Sequence, residues 1–338
     1  MIKQTVGITS VAYYIPTGIL TSQEMAKLAN LPEFVFTDKI GIKQKPIAAQ
    51  DEHPSDMGIK AALEAINKAK ITAREIDLIV YCAAGDYDYR FWSPAAKIQE
   101  AIGAENAFAF EVRNFCNSGN LGIHICRNML LADNDLSYAL VVCSDKLSML
   151  LDYTDVDSLS TFIMADGAAA AILKKGEPSN QILSYHAMTN GKFVDCLKVS
   201  SAGTKFPVGS TQINNNELNY LKVKNPQEIE RILSDLYLEN YGKVICKSLE
   251  KSGYSIKDVD FLLTNQVKKS LSKDILELLN LRDDQTFISL PEYGHLGAVD
   301  TIFGLAKTLE SNKIKPGNIV ILASSAAGFS WAALTVKY

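Results

Sequence analysis

One cysteine lies where an apolar segment gives way to small and polar residues. Cys116 follows the apolar run 108–112 and precedes the sequence Asn-Ser-Gly, after which an amphipathic helix is predicted. The start of a helix carries free N–H donors and partial positive charge, which stabilise a thiolate. Most cysteines are structural, and Cys82 and Cys143 fit that role inside apolar strands. The residues around Cys116 are poor choices for a core, so we predict that Cys116 is a nucleophile.

A histidine stands at the corresponding place in the second half of the chain. His295 is preceded by Gly294, is followed by Gly297, and opens another apolar helix. As a base, it would take the proton of the Cys116 thiol and later serve an acceptor. A single histidine is usually structural, but the glycines and the repeat-related position favour catalysis. Asp300 follows His295 by five residues, and in an ideal helix that spacing would place the two side chains about 140° apart. Asp300 would therefore orient His295 only if the helix begins after His295.

Two further segments could complete a site. Asn265 ends an apolar strand, where it could donate a hydrogen bond to a thioester carbonyl or simply cap the strand. Small residues surround Ala327, so a backbone N–H there could approach a reacting oxygen, although a tight turn would explain them equally well.

The chain consists of two similar halves, which must position these segments. A helix, a turn and an apolar strand recur, so that Asp77 and Asp260 begin equivalent strands. Apolar strands that alternate with amphipathic helices predict an α/β fold with mostly parallel central sheets covered by helices. A two-fold relation between the halves would bring the Cys116 and His295 turns together.

We place the boundary between the halves in a segment with turn chemistry. Residues 1–176 form the N-terminal half, which carries Cys116, and residues 177–338 form the C-terminal half, which carries Asn265 and His295.

The composition narrows the possible partners. The 338 residues include 34 Lys+Arg and 38 Asp+Glu, for a net charge of −4, without a basic stripe, so we expect no nucleic-acid partner. The apolar runs are of strand length and the N-terminus lacks a signal-peptide core, so we expect a soluble, cytoplasmic chain without a membrane segment. Neither metal-ligand spacing nor a phosphate-binding loop is present, which argues against a metal or nucleotide cofactor.

From Val6 to Tyr338 the chain resembles ketoacyl-ACP synthase III-type enzymes of the thiolase superfamily. The resemblance is carried by Gly41-Ile42 with the following Ile47-Ala48-Ala49, the Cys116 turn, Asp166-Gly167-Ala168 and the closing Gly328-Phe329-Ser330-Trp331. It implies a thiolase-like fold without a permanently bound cofactor. It also implies that Cys116 takes an acyl group from a CoA or acyl-carrier-protein thioester, with the backbone N–H groups of Cys116 and Ala327 as oxyanion hole.

Two positions depart from the family pattern. Typical condensing members have His where this chain has Asn265, and Asn where it has His295. In those members the pair stabilises the enolate that malonyl decarboxylation releases. The resemblance is closer to a variant subgroup that keeps the cysteine and a Gly-His-Leu-Gly-type histidine, and transfers acyl groups to hydroxyls or amines of specialised metabolites. A base beside the acceptor suits ester or amide formation, so we predict an acyltransferase for small acyl groups.

Two alternatives remain open. One is decarboxylative Claisen condensation with malonyl-ACP, which gives a 3-oxoacyl product in fatty acid or polyketide biosynthesis. The other is a catalytically quiet partner subunit of a heteromeric synthase, although such subunits usually lose the nucleophile that this chain retains as Cys116.

The last prediction is a homodimer. Residues 85–94 place four aromatic side chains within six positions, between a strand and a Pro-started helix, and interfaces are enriched in such residues. The resemblance implies that Trp92 reaches towards the partner's acyl pocket, where its bulk would favour acetyl or malonyl groups. The loop could instead fold back onto its own core.

Overall fold

A computed structural model describes residues 4–208 and 219–338, without the side chains of 228–230 and 232–235. The described strands are β1 (Val6–Tyr14), β2 (Gly18–Thr21), β3 (Gln44–Ile47), β4 (Leu78–Cys82), β5 (Phe108–Val112), β6 (Tyr138–Lys146), β7 (Asp166–Lys175), β8 (Gln181–Thr189), β9 (Leu197–Val199), β10 (Leu221–Val223), β11 (Val259–Thr264), β12 (Ile319–Ala326) and β13 (Ser330–Lys337). The described α-helices are α1 (Ser22–Ala29), α2 (Pro54–Ala69), α3 (Pro94–Ile102), α4 (Ser118–Ala132), α5 (Pro226–Ser252), α6 (Lys269–Leu279), α7 (Leu290–Tyr293) and α8 (Asp300–Glu310).

The central sheet repeats one strand order on either side of a join. Its nine strands follow the order β11-β12-β13-β8-β1-β7-β6-β4-β5, and β1 meets β8 in the middle. Counted outwards from that join, β1-β7-β6-β4 on one side matches β8-β13-β12-β11 on the other. A parallel bridge from Leu262 to Thr286 lies beyond β11, where β5 lies in the N-terminal half. The proposed boundary at residue 176 falls in the turn between β7 and β8.

The predicted α/β class is confirmed, but the strand pairing is more antiparallel than expected. Among the described residues, β4 pairs parallel with β5 and β6, and β11 with β12, whereas the other pairs of the large sheet are antiparallel. The parallel strands are linked through helices, as parallel neighbours require. β12 instead returns directly into β13 through a short turn, and a strand that returns in this way must run antiparallel.

Both faces of the sheet are covered, which explains why the strands are almost continuously apolar. Successive side chains of a strand point to opposite faces. On β4, Ile79 and Tyr81 therefore pack in the cluster that contains α2 and α3, while Val80 and Cys82 pack in the cluster that contains α4 and α8. In the C-terminal half, α5 and α6 cover the outer face. Helices α4 and α8 thus lie between the strands of the two halves.

Close packing of α4 depends on glycine. A Cβ atom at Gly122 would lie 2.4 Å from the Cys82 Sγ atom and 3.2 Å from Val141 Cγ1. The α4 backbone can approach β4 and β6 only because no side chain intervenes. Within the described residues, no helix combines the length and apolar character of a membrane span.

We expect Gly122→Ala to lower the free energy of unfolding by roughly 1–3 kcal/mol, because overpacking outweighs the better helix propensity of alanine. Urea unfolding followed by circular dichroism measures the change. Gly191→Ala is the matched control, since nothing lies within 4 Å of its Cβ position. A Gly122→Ala protein as stable as wild type would contradict the close approach.

Candidate active site

The two predicted turns meet where α4 and α8 begin. The Cys116 Sγ atom lies 3.1 Å from Nε2 of His295, although 179 residues separate them. Cys116 belongs to the short turn Phe115–Asn117, directly before α4, and His295 precedes the turn Gly297–Val299 that leads into α8. The thiol and the imidazole are therefore within hydrogen-bond distance.

Asp300 holds the other side of the imidazole ring. Its Oδ2 atom lies 2.5 Å from Nδ1 of His295, and both side chains are buried. The two side chains can meet because α8 begins only at Asp300, so that His295 lies before the helix. The angular separation expected within an ideal helix therefore does not apply. The carboxylate also accepts hydrogen bonds from the backbone N–H groups of Leu296, at 2.9 Å, and Gln266, at 2.7 Å.

This arrangement determines which ring nitrogen faces the cysteine. Because His295 Nδ1–H donates to Asp300, Nε2 is left to exchange a proton with the thiol of Cys116. Burial alone would lower the pKa of His295, but the neighbouring charges of a Cys116 thiolate and of Asp300 outweigh it and raise that pKa well above its usual value. The surroundings therefore favour an imidazolium at His295.

A buried lysine braces the backbone of His295. His295 forms a parallel β-bridge with Met164. The Nζ atom of Lys45 donates hydrogen bonds to the carbonyl oxygens of Met164 and Phe162, each at 2.6 Å. Burial lowers the pKa of Lys45 to about 7, although Asp166 opposes the shift. Lys45 thus fixes the segment on which the His295 backbone rests.

A buried carboxylate that we did not predict from the sequence, Asp145, joins the loop after β4 to the His295 turn. It accepts hydrogen bonds from the N–H groups of Ala84 at 2.8 Å and Gly85 at 2.7 Å, just after β4, and of Ala298 at 2.9 Å, beside the His295 turn. Burial raises the pKa of Asp145 to about 6, although these N–H groups and His295 favour the charged form. The only hint in the sequence is a single acidic residue at the end of an apolar strand.

Gly297 lets this carboxylate approach the His295 turn. Its φ angle is +69°, and a Cβ atom there would lie 2.5 Å from Asp145 Oδ2. A side chain at this position would therefore strain the backbone and displace Asp145.

Asn117 connects the cysteine turn to the closing hairpin. Its Nδ2 donates to the hydroxyl of Ser330 at 2.7 Å, and its Oδ1 accepts from the hydroxyl of Ser324. These serines lie on β12 and β13, on either side of the turn that contains Ala327. The segments that carry the predicted oxyanion-hole N–H groups of Cys116 and Ala327 are therefore bonded to each other.

Phe115 gives the turn an unusual backbone. Its φ angle is +48°, in the left-handed region that bulky residues rarely adopt. Such conformations persist where the surrounding structure holds them, and they concentrate at functional sites. Nothing in the residue type of Phe115 predicts it.

Asn265 is anchored to the end of β12, two residues before Ala327. Its Nδ2 donates to the carbonyl oxygen of Ser325 at 2.9 Å, and its Oδ1 accepts from the Ser325 N–H at 3.0 Å and from the Tyr241 hydroxyl at 2.5 Å. The bond to the Ser325 carbonyl uses one of the two Nδ2 hydrogens. Donation of the other hydrogen to a thioester carbonyl stays a prediction.

Some aromatic side chains of the loop at residues 85–94 pack against the core, and others are exposed at the surface. Tyr87 packs edge-on against the buried Tyr81, with ring centroids 5.7 Å apart, as expected for a loop that folds back. Trp92 is partly buried and packs edge-on against the exposed Tyr89, at 5.5 Å. Phe91 is fully exposed. The outer part of the loop is therefore left open to a partner.

The described part of the chain contains no cluster of three or more His, Cys, Asp or Glu side chains that could hold a metal ion.

We expect Asp300→Asn to slow acyl loading of Cys116 about 100-fold, because an amide can neither stabilise the imidazolium nor enforce the tautomer. The pH at which His295 loses its proton should also fall, since Asp300 helps to raise the pKa of His295. Intact-mass time courses across pH measure both effects. Asp284→Asn, which changes an exposed carboxylate, is the control. Loading within threefold of wild type would contradict the assigned role.

Two family models match parts of the chain that contain the two turns of the site. The family described as 3-oxoacyl-[acyl-carrier-protein (ACP)] synthase III matches residues 110–191, and its C-terminal part matches residues 249–338. Beta-ketoacyl-[acyl-carrier-protein] synthase III of Campylobacter jejuni is 28% identical over 334 residues, which cover 98% of this chain and 97% of that protein.

Solved structures share the fold over the whole chain. The 3-oxoacyl-[acyl-carrier-protein] synthase III of Aquifex aeolicus superposes with a TM-score of 0.86 at 22% identity, covering 98% of this chain and 100% of that chain. OleA of Xanthomonas campestris gives a TM-score of 0.85 at 18% identity, covering 100% of both chains. The Cys116 turn and the closing hairpin both fall within the matched family regions, and the chain belongs to the 3-oxoacyl-acyl-carrier-protein synthase III family of thiolase-like enzymes.

Proposed function

We propose that this protein is an acyltransferase that works through an acyl-Cys116 thioester and a hydroxyl or amine acceptor. The observation that carries the proposal is the contact of Cys116 Sγ with Nε2 of His295, while Asp300 holds Nδ1. A nucleophile, a base and a group that orients the base are the parts that nucleophilic acyl transfer needs.

In the first half-reaction, His295 takes the proton of the Cys116 thiol. The thiolate attacks the carbonyl carbon of a CoA or carrier-protein thioester, and a new carbon–sulfur bond forms. The negative oxygen is stabilised by the backbone N–H groups of Cys116 and Ala327. As the tetrahedral intermediate collapses, the bond to the donor sulfur breaks, and His295 returns its proton to the departing thiolate. No permanently bound cofactor is required.

In the second half-reaction, the acceptor replaces the departed thiol beside His295. Its hydroxyl or amine attacks the acyl carbon, and Nε2 of His295 accepts the proton that the acceptor loses. The bond to Cys116 sulfur breaks, and the same proton passes to the thiolate. An ester or amide leaves, and Cys116 and His295 again share one proton, as they did before loading.

The residue types at positions 265 and 295 are the reason for proposing transfer to a hydroxyl or amine. Enolate stabilisation in condensing relatives uses a histidine and an asparagine, whereas here the residue at position 265 is an asparagine bonded to Ser325 and Tyr241. The histidine is at position 295, where it is hydrogen-bonded to the Cys116 thiol and to Asp300. One base next to a thioester is sufficient for ester or amide formation.

Decarboxylative condensation to a 3-oxoacyl product is the second candidate, and the comparisons favour it more than the first. The family description and the curated relatives carry the name of 3-oxoacyl or beta-ketoacyl synthase III. One OleA structure contains lauric acid and lauroyl-CoA, which supports an acyl-CoA donor for the fold. Both candidates share the acyl-Cys116 intermediate, and they differ in what attacks it. A catalytically quiet subunit is the third possibility, and it fits poorly with the Cys116–His295–Asp300 arrangement.

We also propose a homodimer formed around β5. This strand is the last of the sheet, and edge strands expose unpaired backbone groups that another chain can use. Phe108 on β5 is 63% exposed and Phe91 is fully exposed, although large apolar side chains are usually covered. Pairing there would also bring the Trp92 loop to the partner, where Trp92 would shorten the acyl pocket.

The identity of the attacking group can be measured directly. Wild type and Cys116→Ala would be loaded with a panel of acyl-CoAs and acyl-carrier proteins, and the adducts followed by intact mass. We expect loading of wild type alone, then discharge by hydroxyl or amine acceptors without labelled carbon dioxide from malonyl donors. Carbon dioxide release that matches formation of a 3-oxoacyl product would replace our proposal with condensation. Loading of neither protein by any donor would refute both.

For the dimer, we expect wild type to sediment as a dimer at micromolar concentration. Trp92→Ala should load longer acyl donors than wild type does, because truncation lengthens the pocket, while its loading with acetyl groups continues. Phe34→Ala, at an exposed site remote in sequence from the loop, serves as the control. A wild-type monomer, or an unchanged preference for chain length in Trp92→Ala, would defeat the proposal.

A further inference from the structure

A cluster of hydrogen-bonded hydroxyl groups next to the active site takes no part in the proposed acyl-transfer steps. The Tyr237 hydroxyl is hydrogen-bonded to the hydroxyl of Ser325. The Tyr241 hydroxyl lies 3.1 Å from the same serine oxygen and 2.5 Å from Oδ1 of Asn265. Ser325 lies two residues before Ala327 at the end of β12, so this cluster borders the turn that we assign to the oxyanion hole.

The hydroxyl hydrogens of this cluster are too few to use every oxygen, so the Tyr237 hydroxyl can still form a hydrogen bond to a ligand. Asn265 Oδ1 can only accept, so the Tyr241 hydrogen is committed to it. Ser325 then has one hydrogen for two phenol oxygens. If it donates to Tyr237, the Tyr237 hydrogen is free for a ligand. If it donates to Tyr241, then Tyr237 donates to Ser325 and its oxygen can still accept from a ligand.

Tyr237 is also part of an aromatic wall. Its ring centroid lies 6.3 Å from that of Phe329 and 5.7 Å from that of Trp331, both edge-on. Ser325 and Trp331 are opposite each other in the β12–β13 register, so they share the face covered by α5. Cys116, Ala327, Phe329 and Tyr237 are each partly exposed, whereas Ser325 and Trp331 are buried.

A negative charge on Cys116 affects the ionisation of Tyr237 in this wall. Burial raises the pKa of Tyr237, and a thiolate at Cys116 raises that pKa further, whereas the hydrogen bond with Ser325 opposes the rise. Tyr237 therefore stays a neutral hydrogen-bonding group. In addition, the buried Nε1 of Trp331 has no hydrogen-bond partner among the described residues, which is uncommon for a buried donor.

We propose that Tyr237 and Phe329 form the wall that binds the acceptor, and that the acceptor is a planar aromatic molecule bearing the attacking hydroxyl or amine. The inference rests on the proposed acyl transfer. Aromatic rings pair edge-on or offset with one another, and the Tyr237 hydroxyl supplies the hydrogen bond that would orient a polar substituent. The acceptor's oxygen or nitrogen bonds to the acyl carbon as the carbon–sulfur bond to Cys116 breaks, and His295 carries its proton to the sulfur.

The test separates loading from discharge. Acyl-Cys116 would be prepared with the best donor, freed of excess donor, and mixed with phenols and anilines or with aliphatic alcohols and amines of equal size. For wild type we expect roughly tenfold faster discharge by the aromatic series. In Tyr237→Phe, the KM for those acceptors should rise roughly tenfold, because one hydrogen bond is lost while the ring remains. Its loading should change much less than its discharge.

Tyr185→Phe is the matched control, because the buried Tyr185 hydroxyl has no hydrogen-bond partner among the described residues. It should discharge with wild-type KM. Equal discharge by both series, or a Tyr237→Phe protein with wild-type acceptor KM, would overturn this inference while acyl transfer stands. An acyl-Cys116 that no hydroxyl or amine discharges would overturn the proposed function as well.

Discussion

The contact between Cys116 and His295 requires α4 and α8 to share one layer between the strands of both halves. One member of the pair lies just before each helix, so any change in how the helices pack moves the thiol relative to the imidazole. Glycine at position 122 allows α4 to lie against β4 and β6. Burial of apolar side chains on both faces of the sheet supplies the energy that holds this layer in place.

Buried polar groups then set the position of the turns within that layer. Asp145 accepts N–H groups from the loop after β4 and from the His295 turn, while Asn117 joins the cysteine turn to Ser324 and Ser330. Each such group is costly to bury unless it is bonded, so these bonds favour one arrangement over its near alternatives. These bonds define the distances between the turns on which the proposed reaction depends.

The residue types at positions 265 and 295 are the basis of our proposal for the chemistry. The imidazole at position 295 is held by Asp300 and faces the thiol, whereas the amide at position 265 is bonded to the end of β12. In the proposed reaction the thiol therefore lies beside a base with an orienting carboxylate. The Tyr237 hydroxyl, bonded to Ser325, is the group that we propose to orient an acceptor.

Much of this site could be predicted from the sequence because it follows the internal repeat. Two Gly-containing turns at equivalent places in related halves should meet, and Cys116 and His295 do so in the structure. The strand directions could not be predicted in the same way, since apolar patterning does not distinguish a hairpin such as β12–β13 from a helical crossover. Asp145 and Lys45 were missed because a single charged residue in a sequence looks like a surface residue until its partners are known. The bonds of Asn265 to Ser325 and Tyr241 could not be predicted for the same reason, because they join elements distant in sequence.

The activation of Cys116 by His295 can be tested without knowing any substrate. Alkylation by iodoacetamide at neutral pH, with each cysteine quantified by peptide mass spectrometry, compares Cys116 with the exposed Cys246 in the same molecule. We expect Cys116 to react faster than Cys246 even though it is less exposed, and His295→Ala to abolish the difference. Equal or slower reaction of Cys116 in the wild-type protein, or an advantage that survives His295→Ala, would contradict activation of Cys116 by His295.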